Sequence, residues 1–97
     1  MTVYAIAQIR IHDRPTYDRY AARFMAVLQR HGGRLLAADE APLVVEGEWT
    51  ADKLVLIAFA DRTAFETWAG SPDYVEISRD RLAATTGTVI LASGIGG

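Results

Sequence analysis

The stretch Lys53-Leu54-Val55-Leu56-Ile57-Ala58-Phe59-Ala60 limits the possible folds more than any other part of the chain. Seven of its eight residues are apolar, and they do not alternate with polar ones. A strand with one wet face reads apolar, polar, apolar; a run that is apolar throughout needs cover on both faces. The rest of the chain, or a second copy of it, must supply two covers. At 97 residues the length fits one domain, 1–97, of a size that buries only about 60–65% of its unfolded surface and gains from a partner.

The other segments are laid out around that run. Val3–Ile11 reads as a strand with Val3, Ala5, Ala7, Ile9 and Ile11 on one face and Tyr4, Ile6, Gln8 and Arg10 on the other. The first set is small and apolar and suits closely packed helices; the second suits a cavity or an interface. Asp13 is placed to cap a helix whose first turn tolerates Pro15. Tyr17, Tyr20, Ala21, Phe24, Val27, Leu28 and His31 then share one helical face, and Gly32-Gly33 ends it. Arg34–Asp39 is extended. Glu40-Ala41-Pro42 interrupts it, and Leu43–Trp49 resumes as a bent edge strand or part of a small hairpin. After the central strand, Asp61 caps a short helix carrying Phe65, Trp68 and Ala69 inward, and Gly70 stops it. Ser71-Pro72-Asp73 starts another helix that runs to about Thr85, with Tyr74, Val75, Ser78 and Leu82 inward. Gly87 breaks that helix, and Thr88–Ser93 is the last strand.

The order strand, helix, strand, strand, helix, strand is the ferredoxin-like βαββαβ pattern, an α+β sandwich with a four-stranded antiparallel sheet. Right-handed crossovers put both helical layers on one face. The opposite face then carries Tyr4 and Ile6 together with Val55, Ile57 and Phe59, or the complementary set if the register is reversed. Of these alternatives the expectation is that Leu54, Leu56 and Ala58 meet the helices and Val55, Ile57 and Phe59 meet a second copy. A contiguous apolar face of that size points to a homodimer through the sheet face, two sheets closing a dimeric α/β barrel.

Composition narrows the function classes. A net charge of −2 without clustered basic residues speaks against nucleic acid as a partner. The absence of cysteine removes disulfides, zinc–thiolate centres, iron–sulfur clusters and a thiol nucleophile. No apolar run reaches the roughly 20 residues of a membrane span, and the N-terminus reads as a strand, which together suggest a cytoplasmic protein. His12 and His31 form no metal motif, and no phosphate loop, Ser/His/Asp arrangement or cofactor fingerprint is present, so neither a metal nor a cofactor is expected.

The candidates for chemistry are few. Glu46 lies in a segment read as a strand, where carboxylates are depleted. It either faces inward against an arginine such as Arg81, Arg10 or Arg34, or guards an edge from solvent. Tyr74 and Arg81 share the last helix. Ser71 begins that helix and offers either a binding site at its free N–H groups or simply a well-made helix start. His12 and Arg10 stand at the end of the first strand. Of the aromatic residues, Tyr4, Trp49 and Tyr74 are the ones placed to touch a ligand. The catalytic candidates are thus Glu46 as base or acceptor, Arg81 as carboxylate holder and Tyr74 as hydrogen-bond donor. Arg10, His12, Trp49 and Ser71 are candidate ligand contacts.

Three stretches add a resemblance. Gly32-Gly33-Arg34, Glu46-Gly47-Glu48-Trp49, and Trp68-Ala69-Gly70-Ser71-Pro72-Asp73-Tyr74 followed by Arg81 are similar to the family called domain of unknown function 1330, across Tyr4 to Gly94. Gly33, Glu46, Gly47, Ser71, Pro72, Tyr74 and Arg81 match its recurrent positions. The chain departs from the pattern at Ala69, where the family usually has tyrosine, and at Ala38-Asp39-Glu40. The resemblance implies a ferredoxin-like fold paired into a dimeric barrel and no established reaction. Three functions therefore compete: a homodimer that binds a small organic molecule, a cofactor-independent monooxygenase- or isomerase-like enzyme, and a structural module without catalysis.

Overall fold

The computed structural model describes residues 1–96. The elements follow the order β1 (Val3–Ile11), α1 (Arg14–Arg30), β2 (Arg34–Asp39), β3 (Lys53–Phe59), α2 (Arg62–Ala69), α3 (Pro72–Ala84) and β4 (Thr85–Ser93). The four strands form one antiparallel sheet in the order β2-β3-β1-β4. The two central strands are β1 and β3, the two most apolar in the sequence. This is the α+β, ferredoxin-like arrangement that the element order implies.

Each helix starts where its capping residue predicts. The Asp13 carboxylate accepts from the Thr16 N–H, that of Asp61 from the Ala64 N–H, and the Ser71 hydroxyl from the Tyr74 N–H. These bonds satisfy donors that have no partner inside the helix. The α1 face is as the spacing requires, with Tyr17, Tyr20, Phe24, Val27 and Leu28 buried.

The faces of the central strand are the reverse of the expected assignment. Val3 pairs with Phe59, Ala5 with Ile57 and Ala7 with Val55. Directly paired residues share a face, so Val55, Ile57 and Phe59 join the buried side of β1 beneath the helices. Leu54, Leu56 and Ala58 lie on the open face with Tyr4 and Ile6. The physical reason is volume. Ala5 and Ala7 are small, so the neighbouring strand must supply the bulk that meets the helices. Phe59 does this most fully, at 2% exposure, packed against Phe65 and Trp68 with ring centroids 5.5 and 5.2 Å away.

Three further expectations change. Leu43–Trp49 is not a strand: residues 40–52 contain no regular element, Gly47 turns the chain at φ +84°, and Leu43 and Val45 are 89% and 87% exposed. Val44 and Val45 favour extended backbone, but β3 already has both its neighbours, β2 and β1, and β2 ends at Asp39. The end of this loop is pinned instead by Asp52, whose N–H donates to the Ile9 carbonyl and whose carboxylate accepts from the Ile11 N–H, both at 2.8 Å. On α3 the inward stripe is Tyr74, Ile77, Ser78, Arg81 and Ala84, while Val75 and Leu82 are exposed. Finally, α3 passes into β4 without a loop. Thr85 donates its hydroxyl to the Arg81 carbonyl at 2.7 Å and begins the strand, and Gly87 lies within β4 opposite Ile9.

Ion pairs and a histidine–carboxylate hydrogen bond tie α1 to α3 on the outside. Arg19 meets Asp80 at 3.1 Å, and His31 and Arg30 meet Asp73 at 3.2 and 3.7 Å. The adjacent Ser71 side chain, then the His31 imidazole and the Tyr74 N–H, hold the Asp73 carboxyl down at about 2. An unfolded aspartate titrates near 3.9. The stabilisation is therefore complete above about pH 4 and lost as the pH falls through about 2. Asp73→Asn should be less stable than the parent at neutral pH, with the gap closing between pH 4 and 2 in urea melts. A gap that stays constant down to pH 2 would contradict this account.

Candidate functional site

A cavity of about 250 Å³ lies between the sheet and the helices. Ala5, Ala7 and Ile9 of β1 and Val55 and Ile57 of β3 form its floor. Tyr17, Tyr20 and Phe24 of α1, Phe65 and Trp68 of α2, and Tyr74 and Arg81 of α3 form its walls. The space arises from small side chains at positions that face it: Ala5, Ala7, Ala21, Ala38 and Ala69 all line it. A larger residue at any of them would fill part of the volume.

The polar groups are few and clustered. The Tyr20 and Tyr74 hydroxyls are 2.9 Å apart and buried. One proton closes that bond, which leaves the pair a second proton to offer an acceptor in the cavity. The Trp68 ring packs against Tyr74, with centroids 3.9 Å apart and the planes tilted by 38°. Burial pushes the Tyr20 phenol far above its ordinary range, and Tyr74 pushes the same way. The Arg81 charge acts on that phenol in the opposite direction, and its side chain lines the same cavity as the hydroxyl pair. Tyr20 therefore stays protonated as a hydrogen-bonding group. Arg81 Nε and Trp68 Nε1 are buried without a hydrogen-bond partner among the described residues. Lys53, the other cation of the lining, sits 4.9 Å from the Tyr17 ring centroid in a cation–π contact.

A model of the family described as a domain of unknown function, DUF1330, matches residues 2–95. The chain belongs to the DUF1330 family. No curated protein matches it in sequence. Solved structures similar to this DUF1330 chain include a protein of unknown function from Rhodopseudomonas palustris, at TM-score 0.82 and 17% identity over 99% of this chain and 84% of that one. SnoaB, a cofactor-independent oxygenase from Streptomyces nogalater, is similar at TM-score 0.70 and 16% identity over 99% and 95%. A dimeric ferredoxin-like protein of unknown function from a Jannaschia species is similar at TM-score 0.71 and 15% identity over 97% and 100%. At these identities the likeness is one of fold.

Of the candidates named from sequence, Tyr74 and Arg81 are brought together at the DUF1330 cavity. Glu46 does not line it. With Trp49, Glu46 belongs to the irregular loop 40–52, where the two border a groove of the loop itself. Ser71 is buried at the joint between α2 and α3, its hydroxyl donating to the Trp68 carbonyl at 2.7 Å. Arg10 and His12 are exposed at the end of β1, with Arg10 on the open face. Among the described residues no helix is long and apolar enough to cross a membrane, and no three acidic or histidine residues are placed to hold a metal.

Sequence reasoning missed Tyr20, Trp68 and Lys53 as cavity groups and assigned the first two to the core. A signal was present. Tyrosine rather than phenylalanine at a buried helical position brings a hydroxyl that must find a partner. Tyr20 and Tyr74 supply that partner for each other.

Proposed function

We propose that the protein is a cytoplasmic homodimer that binds a small, largely apolar organic molecule between its sheet and its helices. The observation that carries this reading is the cavity itself, an apolar space whose few hydrogen-bonding groups include the Tyr20–Tyr74 pair and Arg81. Ligand sites have this composition, mainly apolar walls with a few converging polar groups. A purely structural module gains nothing from five alanines around an unfilled space, since interiors otherwise pack to crystal-like density.

Binding is favoured over proton-transfer catalysis of the oxygenase or isomerase type. Among the described residues, the lining contains no aspartate, glutamate or histidine. An enzyme reading would need its base delivered from elsewhere, for example by Glu46 of the loop. Support for the homodimer comes from the open sheet face, where Tyr4, Ile6, Leu54, Leu56, Ile90 and Ala92 form an apolar surface on the side away from the helices. A chain without cysteine also needs no oxidising compartment.

A thermal-shift screen with fragments of roughly ten non-hydrogen atoms tests the binding reading. A fragment present at 100 times its dissociation constant adds about 2.7 kcal/mol and raises the melting temperature visibly. The shift should vanish in Ala7→Leu, which puts three more carbons into the cavity. If no fragment shifts the parent, or Ala7→Leu keeps the same shift, the cavity is not the binding site.

A further inference from the structure

We infer that the ligand is a small arylcarboxylate, with its carboxylate seated on Arg81 and the Tyr20–Tyr74 hydroxyl pair. This rests on the reading of the cavity as a ligand site and specifies the class of molecule that fills it.

Charge carries the first part of the inference. The cavity lining holds two cations, Arg81 and Lys53, and no anion among the described residues. Arg14, Arg19, Arg23, Arg30 and Arg62 are paired with carboxylates, and the arginines outside these pairs other than Arg81, namely Arg10, Arg34 and Arg79, are exposed to water. Arg81 takes part in none of the ion pairs among the described residues, although Asp80 is adjacent in sequence. Asp80 is turned outward to Arg19 instead. A guanidinium that lies on the inward stripe of a helix and lacks an acidic partner is matched by an anion from outside the chain.

Hydrogen bonding carries the second part. Arg81 Nε is a buried donor with nothing to donate to. The paired hydroxyls, which line the same cavity, have one proton to spare. A carboxylate has two oxygens and about four lone pairs, so it accepts from a guanidinium and a phenol at once. An amine would meet like charge there, and a neutral hydrocarbon would leave these donors unmet. Arg81 and Tyr74 are seven residues apart on α3, two turns along one face, so both are held by the same rigid element.

Size and wall composition carry the third part. About 30 Å³ is one water's share of liquid volume, so a space of about 250 Å³ corresponds to roughly eight waters and a ligand of about ten non-hydrogen atoms. The rings of Phe24, Phe65 and Trp68 line that space, and aromatic faces and edges pack an aryl ring well. Benzoate and phenylacetate are of this size.

The test is isothermal titration of the parent and of Arg81→Gln, Arg81→Lys and Lys53→Gln with phenylacetate, the isosteric phenylacetamide, and phenethylamine. The parent should bind the acid at least roughly tenfold more tightly than the amide and should not bind the amine. In Arg81→Gln that preference should collapse to about unity, as expected when a charged hydrogen bond is lost. Arg81→Lys should restore part of it, and Lys53→Gln should lower it far less than Arg81→Gln does. Acid and amide binding the parent within threefold of each other would overturn the assignment while leaving the cavity as a ligand site. So would a preference that follows Lys53 rather than Arg81. Because the acid–amide comparison is made on the parent, it stands even if Arg81→Gln does not fold. If none of the three probes binds the parent at millimolar concentration, the cavity reading fails with it.

Discussion

Phe59→Ala should cost about 3–5 kcal/mol, the range for removing a buried phenylalanine ring. Chains of this size are stable by about 5–15 kcal/mol in total. The variant should therefore lose a large share of its stability and melt roughly 15–30 °C lower. The ring is 2% exposed and fills the wedge between β3 and α2 against Phe65 and Trp68. Leu56, three residues earlier on the same strand, should behave differently because it lies on the open face. Leu56→Asp should leave the protomer folded, with a circular dichroism spectrum like the parent's, and should convert a dimer to a monomer in light scattering. If Phe59→Ala melts within about 3 °C of the parent, or Leu56→Asp unfolds the protomer itself, the two faces of β3 have been exchanged. A monomeric parent at micromolar concentration would remove the homodimer from the proposal.

Gly87→Ala should be nearly as damaging, for a different reason. A Cβ at this position would lie 2.1 Å from the Gln8 carbonyl oxygen and 2.9 Å from the Ile9 Cα. Both are backbone atoms of the central strand β1, so no rotamer change relieves the clash. The strands must separate, which disturbs the pairs Ile9–Gly87, Arg10–Thr86 and Ile11–Thr85. The expected loss is about 3 kcal/mol or more, at the upper end for overpacking. Urea unfolding measures it, and amide exchange at Thr85 and Thr86 should accelerate more than exchange in β3. A variant within about 1 kcal/mol of the parent would mean that β1 and β4 are not this close.

Much of the frame was legible because its signals are local. Asp13, Asp61 and Ser71 announce helix starts through the free N–H groups that they satisfy. Small apolar residues at alternate positions of β1 identify its helix-facing side. What alternation could not settle was β3, because a strand apolar at every position has no polar residue to mark either face. That orientation is set by register with β1, which is a long-range property. The loop 40–52 was misread because Val44 and Val45 carry the propensity of a strand and lack a strand to pair with. The cavity was half legible. The seven-residue spacing puts Tyr74 and Arg81 on one face of α3, but their meeting with Tyr20 depends on how α1 packs on α3. Glu46 drew attention as a carboxylate in a supposed strand, and that premise went with the strand.

The pairing of β1 with β4 has a consequence for how the molecule comes together. β1 is the first strand of the chain and lies in the middle of the sheet, yet one of its two neighbours is the last strand, with Val3 opposite Ser93. Its other neighbour, β3, is more than forty residues away in sequence. No hairpin can therefore nucleate the centre of the sheet, and each contact of β1 closes a long loop. Chains with such non-local pairing fold slowly for their size. Until β4 docks, one edge of β1 remains an unpaired template, open to a strand from another molecule. The protein's exposure to misassembly thus lies in the interval before its last strand is in place, more than in its finished surface.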